Sequence, residues 1–97
     1  MKTKRTMIDK DEALQIVKAI LSNTLSPERI SIGDAKTYYP VMVDGNRWKT
    51  ICRFYLQETK FIGIISERRV ETRARIFRPE DILKFAVDMQ VIAKKYS

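Results

Sequence analysis

Histidine is absent from the 97 residues. That excludes Ser-His and Cys-His nucleophilic pairs and every histidine-held metal in one step. The single cysteine, Cys52, has no partner for a disulfide within the chain, and one thiolate is too few for a zinc site. Three glycines and three prolines leave no room for a low-complexity or collagen-like segment. Apolar runs are only a few residues long, so no bilayer-spanning helix is encoded. The start, Met1-Lys2-Thr3-Lys4-Arg5-Thr6-Met7, is basic but no hydrophobic stretch follows it, and it is not read as a secretory signal. The expectation is a cytoplasmic protein without a cofactor: a basic flexible arm over residues 1–8 and one small domain over residues 9–97. A chain of this length buries only about 60–70% of its unfolded surface, which means one modest core.

What is abundant is positive charge. Nineteen Lys and Arg against twelve Asp and Glu give a net charge of +7. The excess sits in the arm and in residues 29–78, where eleven bases face five acids, while residues 79–97 balance to zero. A concentrated positive field suits acidic partners such as nucleic acid.

The pattern of apolar residues gives the elements. Asp9 is placed to cap a helix, with Glu12 three residues on and Ile8 positioned to staple onto Ala13. Leu14, Val17, Ile20, Leu21 and Leu25 then recur at three and four, which makes one buried stripe. Beyond Ser26-Pro27-Glu28 the period becomes two. Ile30 and Ile32 alternate with polar neighbours, and Thr37 to Val43 reads as a strand that Pro40 confines to an edge or a bulge. Asp44-Gly45-Asn46 signals a hairpin into Arg47–Leu56. Phe61-Ile62-Gly63-Ile64-Ile65 is apolar on both parities, and Val70–Phe77 can add a short last strand. Pro79, with Glu80 and Asp81 behind it, opens a closing helix whose inward stripe is Ile82, Phe85, Ala86, Met89 and Ala93. The fold expected is α+β: a three- to four-stranded antiparallel meander flanked by an N-terminal and a C-terminal helix.

Strict alternation along residues 47–56 puts Trp48, Thr50, Cys52, Phe54 and Leu56 on the core face, with Trp48 as an anchor and Cys52 an inert core thiol. Arg47, Lys49, Ile51, Arg53 and Tyr55 take the open face. Cations for phosphates and an aromatic for a base make that face a candidate nucleic-acid platform. Lys and Arg are also what any solvated strand face uses. Arg68, Arg69, Arg73, Arg75 and Arg78 form a second basic group with no lysine among them, and arginine is the better phosphate fork. Glu67, Glu71 and Glu80 are at hand as ion-pair partners for it. Lys36 with Tyr38 and Tyr39 makes a weaker third patch.

Asp44 followed by Glu58-Thr59-Lys60 has the order of a metal-dependent nuclease site, in which carboxylates hold Mg²⁺ and a lysine helps to activate water. Both acids fall in predicted turns, where that chemistry needs adjacent core strands. The chain is read as no enzyme.

The stretch from Arg29-Ile30 through Asp34-Ala35-Lys36-Thr37-Tyr38-Tyr39 and Asp44-Gly45-Asn46-Arg47-Trp48-Lys49-Thr50-Ile51-Cys52-Arg53-Phe54, continued by Lys60-Phe61-Ile62-Gly63-Ile64, resembles a known module. It is similar to the C-terminal domain of bacterial restriction endonuclease-like proteins of type I and type IV. Ala13–Leu25 and Pro79–Phe85 fit as well, so the resemblance covers most of residues 11–95. It implies an accessory module near DNA metabolism, with metal chemistry left to a nuclease domain absent from these residues. The expected function is therefore non-catalytic binding of nucleic acid, read as DNA, through Lys36, Arg47, Lys49, Arg53, Tyr55, Arg68, Arg69, Arg73 and Arg75. The alternative is a protein-interaction module, either a homodimer or a partner or inhibitor of a restriction complex. Its apolar patch would come from Ile51, Tyr55 and residues 61–65.

Overall fold

A computed structural model of the chain describes residues 8–66 and 68–97. Of the expected basic arm only Ile8 falls within them, and it is buried in the core. Helix α1 spans Lys10–Ile20, and the Asp9 carboxylate accepts the Glu12 N–H at 2.8 Å as the capping pattern requires. It ends before its apolar stripe does. Ser22, Asn23 and Thr24 offer the backbone competing hydrogen bonds, and a tight turn returning Leu25 N–H to the Leu21 carbonyl keeps both leucines buried.

A single 3-10 turn at Pro27–Arg29 leads into five strands: β1 Ile30–Ile32, β2 Tyr39–Val43, β3 Asn46–Leu56, β4 Lys60–Ile65 and β5 Glu71–Arg75. They pair antiparallel in chain order. The architecture is α+β with a meander sheet, and its five strands exceed the three to four expected because the short edges β1 and β5 both pair. Asp44 and Gly45 have φ of +58° and +66°, the two positive values of a type I′ hairpin between β2 and β3. Pro40 is accommodated by position. Its carbonyl faces the β1 side, where it accepts the Gly33 N–H at 2.8 Å. The missing N–H therefore points where β1 has already ended, and the ladder to β3 loses nothing.

The chain closes with a 3-10 helix, Pro79–Phe85, and helix α2, Ala86–Lys94. Buried Asp81 accepts the backbone N–H groups of Phe77 (2.7 Å) and Arg78 (3.0 Å), which holds its carboxyl below the usual range. These helices and α1 cover one face of the sheet. The core between them joins Val17 of α1 and Leu21 just after it, Val41, Phe54 and Ile62 of the sheet, and Ile82, Met89 and Ala93 of the closing segment. No helix among the described residues is long and apolar enough to cross a membrane.

Strict alternation fails in the first half of β3. Val41 pairs with Cys52 and Met42 with Thr50, so Ile51 is an extra residue, a β-bulge. The bulge reverses the faces upstream of it. Ile51 is fully buried in the core and Trp48 is 67% exposed, the opposite of the expectation for both. Downstream, Cys52 and Phe54 are buried as expected. Residues 47–49 also arc away from β2, since the next pairing is Val43 with Asn46. Their backbone finds substitute partners. The Asn46 side chain accepts the Trp48 N–H at 2.9 Å, and the Thr50 hydroxyl donates to the Arg47 carbonyl at 2.6 Å.

Candidate nucleic-acid interface

The face of the sheet away from the helices carries a layer of arginines lying on aromatic rings. Its centre is the row Pro40–Arg53–Gly63–Arg73 across β2 to β5, beside the row Tyr55–Phe61–Arg75. Gly63 matters because it has no side chain: a Cβ there would collide with the Glu71 carboxylate. Glu71 can therefore lie flat over β4 and reach both neighbours. It accepts from Arg53 Nη1 at 3.0 Å, from the Tyr55 hydroxyl at 2.6 Å and from Arg73 Nε at 3.3 Å. Burial, and then the bond to Glu71, push the Tyr55 hydroxyl above its ordinary pKa.

Four guanidinium groups stack on rings. Arg53 lies 4.8 Å from the Tyr38 centroid, Arg73 4.4 Å from Tyr55, Arg69 5.0 Å from Trp48 and Arg75 4.8 Å from Phe77. Stacking holds an arginine in place while leaving its edge donors available to an anion. Arg53 and Arg73 already share Glu71. Among the described residues Arg47, Arg68, Arg69 and Arg75 have no carboxylate partner, which leaves uncompensated positive charge around β3's arc, in the β4–β5 turn and on β5.

The Trp48–Arg69 pair is the most exposed part. Arg69 has φ of +64°, a conformation costly for a side chain with a Cβ, and its Nη1 donates to the Trp48 carbonyl at 2.9 Å. The contact occupies a backbone carbonyl left open by the β3 arc. Beside the pair is an open hollow of about 450 Å³, with Tyr38, Met42, Arg47, Thr50 and Arg53 among its lining.

Of the residues singled out from the sequence, Arg47, Arg53, Tyr55, Arg69, Arg73 and Arg75 thus belong to one surface. Lys36 is exposed in the β1–β2 connection, close in sequence to the hollow-lining Asp34, Ala35 and Tyr38, and Arg68 is exposed in the β4–β5 turn. Lys49 does not join them. Its Nζ is drawn to the hairpin, where it bonds Asp44 at 3.3 Å, and it does not line the hollow. Arg78 lines a different hollow, with Glu12, Ile16 and Leu83. Trp48 is the functional candidate that alternation assigned elsewhere. Cys52 is fully buried, and burial pushes its thiol far up, so it is unreactive.

The nuclease pattern does not assemble. Asp44 and Glu58 lie beyond opposite ends of β3, about 30 Å apart at strand rise. Asp44 is engaged by Arg29 and Lys49, and among the described residues no three His, Cys, Asp or Glu side chains are grouped to hold a metal ion.

Comparison of the chain with protein-family profiles, curated proteins and solved structures gives no match.

Proposed function

We propose that this chain is a non-catalytic nucleic-acid-binding module that takes DNA on the open face of its sheet. The reading is carried by the exposed Trp48–Arg69 stack beside a hollow lined by Arg47, Arg53 and Arg69, of which Arg47 and Arg69 have no carboxylate partner among the described residues. An indole this exposed contributes little to the fold but offers a base a stacking surface, while Arg47, Arg69 and Arg75 take phosphates. A stacking side chain has no use for a base held inside a duplex, so single-stranded DNA is the expected ligand. The likeness of residues 29–64 to the C-terminal modules of restriction endonuclease-like proteins favours DNA over RNA and a role alongside DNA restriction.

Fluorescence anisotropy with labelled single-stranded DNA, duplex DNA and RNA, each at low and physiological salt, tests this. Single-stranded DNA should bind tightest, with log K falling against log salt at a slope of about −2 for three phosphate contacts. Trp48→Ala should weaken binding by about tenfold to a hundredfold. Arg69→Gly separates function from fold. It relieves the positive φ and so holds or raises stability by up to about 1 kcal/mol, yet it removes the stack and should weaken binding. No binding at low salt, or affinity indifferent to Trp48 and Arg69, overturns the reading.

A further inference from the structure

We propose that the free edge of β5 takes an extended peptide whose side chains alternate acidic and apolar, and adds it to the sheet as a further antiparallel strand. β5 is the last strand of the sheet and has a neighbour on one side only. The direction of its backbone groups follows from the ladder. Ile76 N–H donates to the Lys60 carbonyl and Ser66 N–H to the Val70 carbonyl, each at 3.0 Å. Antiparallel pairing alternates, so Thr72 and Ala74 also turn their N–H and C=O groups toward β4. Glu71, Arg73 and Arg75 turn theirs to the open side. Strand edges of this kind are usually blunted by proline, lysine or a bulge. β5 contains no proline or lysine, and it pairs with β4 residue for residue. Its backbone is a template for another strand.

The two faces of this edge decide what the added strand carries. On the open face Arg73 and Arg75 are exposed, and Arg75 has no carboxylate partner among the described residues. Residues opposite them in an added strand stand on the same face, with Cβ atoms about 5 Å away, where acids are favoured. On the other face the helical layer leaves β5 partly uncovered. Thr72 is exposed although it points to that side, and a hollow of about 410 Å³ is lined by Thr72, Ala74, Phe85 and the 55% exposed Val91. Alternate side chains of the added strand point toward this hollow, and apolar ones are stabilised there. Asp88, also in the lining, disfavours an acid on that side.

Acids opposite Arg73 and Arg75 with an apolar residue between them are therefore the complement. A second copy of β5 is a poorer match. Pairing two copies about their centres sets Arg73 against Arg73, and Glu71, the one acid of β5, is already shared by Arg53, Tyr55 and Arg73.

The probe is a blocked peptide in which glutamate alternates with valine, titrated by fluorescence anisotropy and followed by NMR amide hydrogen exchange. One short strand buries less than a standard interface, so the expected Kd is on the order of 100 μM. The Arg73 and Arg75 amides should exchange at least about tenfold more slowly with peptide bound, while Thr72 and Ala74, already bonded to β4, should change little. N-methylation of the glutamate amides should abolish binding, because those N–H groups face β5 in this register. N-methylation of the valine amides should leave it intact. Arg75→Glu and Val91→Asp, at exposed positions, should each weaken binding about tenfold and leave the circular dichroism spectrum unaltered. No binding at about 1 mM peptide overturns the proposal, as does binding that survives N-methylation of the glutamates. Slower exchange at Arg73 and Arg75 on concentrating the chain alone would give the edge to a second copy and also overturn it. The proposal does not rest on the nucleic-acid reading, since Val91→Asp should bind single-stranded DNA as the wild type does.

Discussion

On the helix side of the sheet Val41, Val43, Ile51, Cys52, Phe54 and Ile62 are fully buried and none carries a charge. On the other side β3 and β5 present Arg53, Tyr55, Arg73 and Arg75, held by ring contacts and one carboxylate. The first face is stabilised by removal of apolar area from water, about 1.5–3 kcal/mol for each large side chain. The second gains only about 0.5–1 kcal/mol from each exposed cation–ring contact. A domain with so few core residues concentrates its stability on one face, and the other is left available for chemistry that stability does not require.

The largest effect that tests this division lies at the bulge. Ile51→Ala removes a fully buried side chain and should lower unfolding free energy by about 2–4 kcal/mol in urea titration. Trp48→Ala, three residues away, should change it by less than about 1 kcal/mol. Equal losses would mean that the indole is part of the fold and that the faces are not divided as described.

A smaller effect is expected where the open face is most organised. Gly63→Ala places a methyl group where the Glu71 side chain lies, so Glu71 must leave Arg53 and Tyr55. The cost should be about 1–3 kcal/mol. The tyrosine absorbance titration should also show one tyrosine moving down toward its ordinary pKa, because Tyr55 has lost the acceptor that favours its protonated form. An unchanged titration would mean that the Glu71 bridge does not organise this face.

How far these faces could be read in advance depended on the local pattern. The cap at Asp9, the Asp44-Gly45 hairpin and the closing helix each combine a turn or cap residue with a period, so sequence alone located them. Alternation held from Cys52 to Leu56 because one residue pairs with one. It failed upstream because a bulge leaves no residue signature of its own: Trp48 and Ile51, of opposite parity, are both apolar and both suit a strand. The adjacent buried pair Ile51-Cys52 was the one hint. The arginine surface was half visible. Glu71, Arg73 and Arg75 alternate with Thr72 and Ala74, but Thr72 and Ala74 are too small and too polar to mark a buried side, so their common face emerged only from pairing with β4. Gly63 carried a readable message, since a glycine inside a strand often marks something lying across it.

The smallest effect belongs to the rim where the two faces meet. Asp44 takes a two-pronged bond from Arg29, at 2.9 Å to each oxygen, and a third from Lys49, while Arg29 also donates to the Tyr96 carbonyl at 2.8 Å. The hairpin tip is thereby tied to the C-terminal end of the helical layer. The Arg29 hydrogen bond, aided by Lys49, lowers the Asp44 carboxyl from 3.8 to about 2. The folded chain therefore binds this proton less readily than the unfolded one. Its stabilisation is complete above about pH 4 and is lost as pH falls toward 2. Asp44→Asn is a clean probe, because asparagine tolerates the positive φ at this position as readily as aspartate. Wild type and variant should differ in unfolding temperature above pH 4 and converge by pH 2. Added salt should narrow the gap, since the pair is partly exposed. A gap that persists at pH 2 would place the contribution of Asp44 in the turn backbone rather than in the ion pair that joins the sheet to its helices.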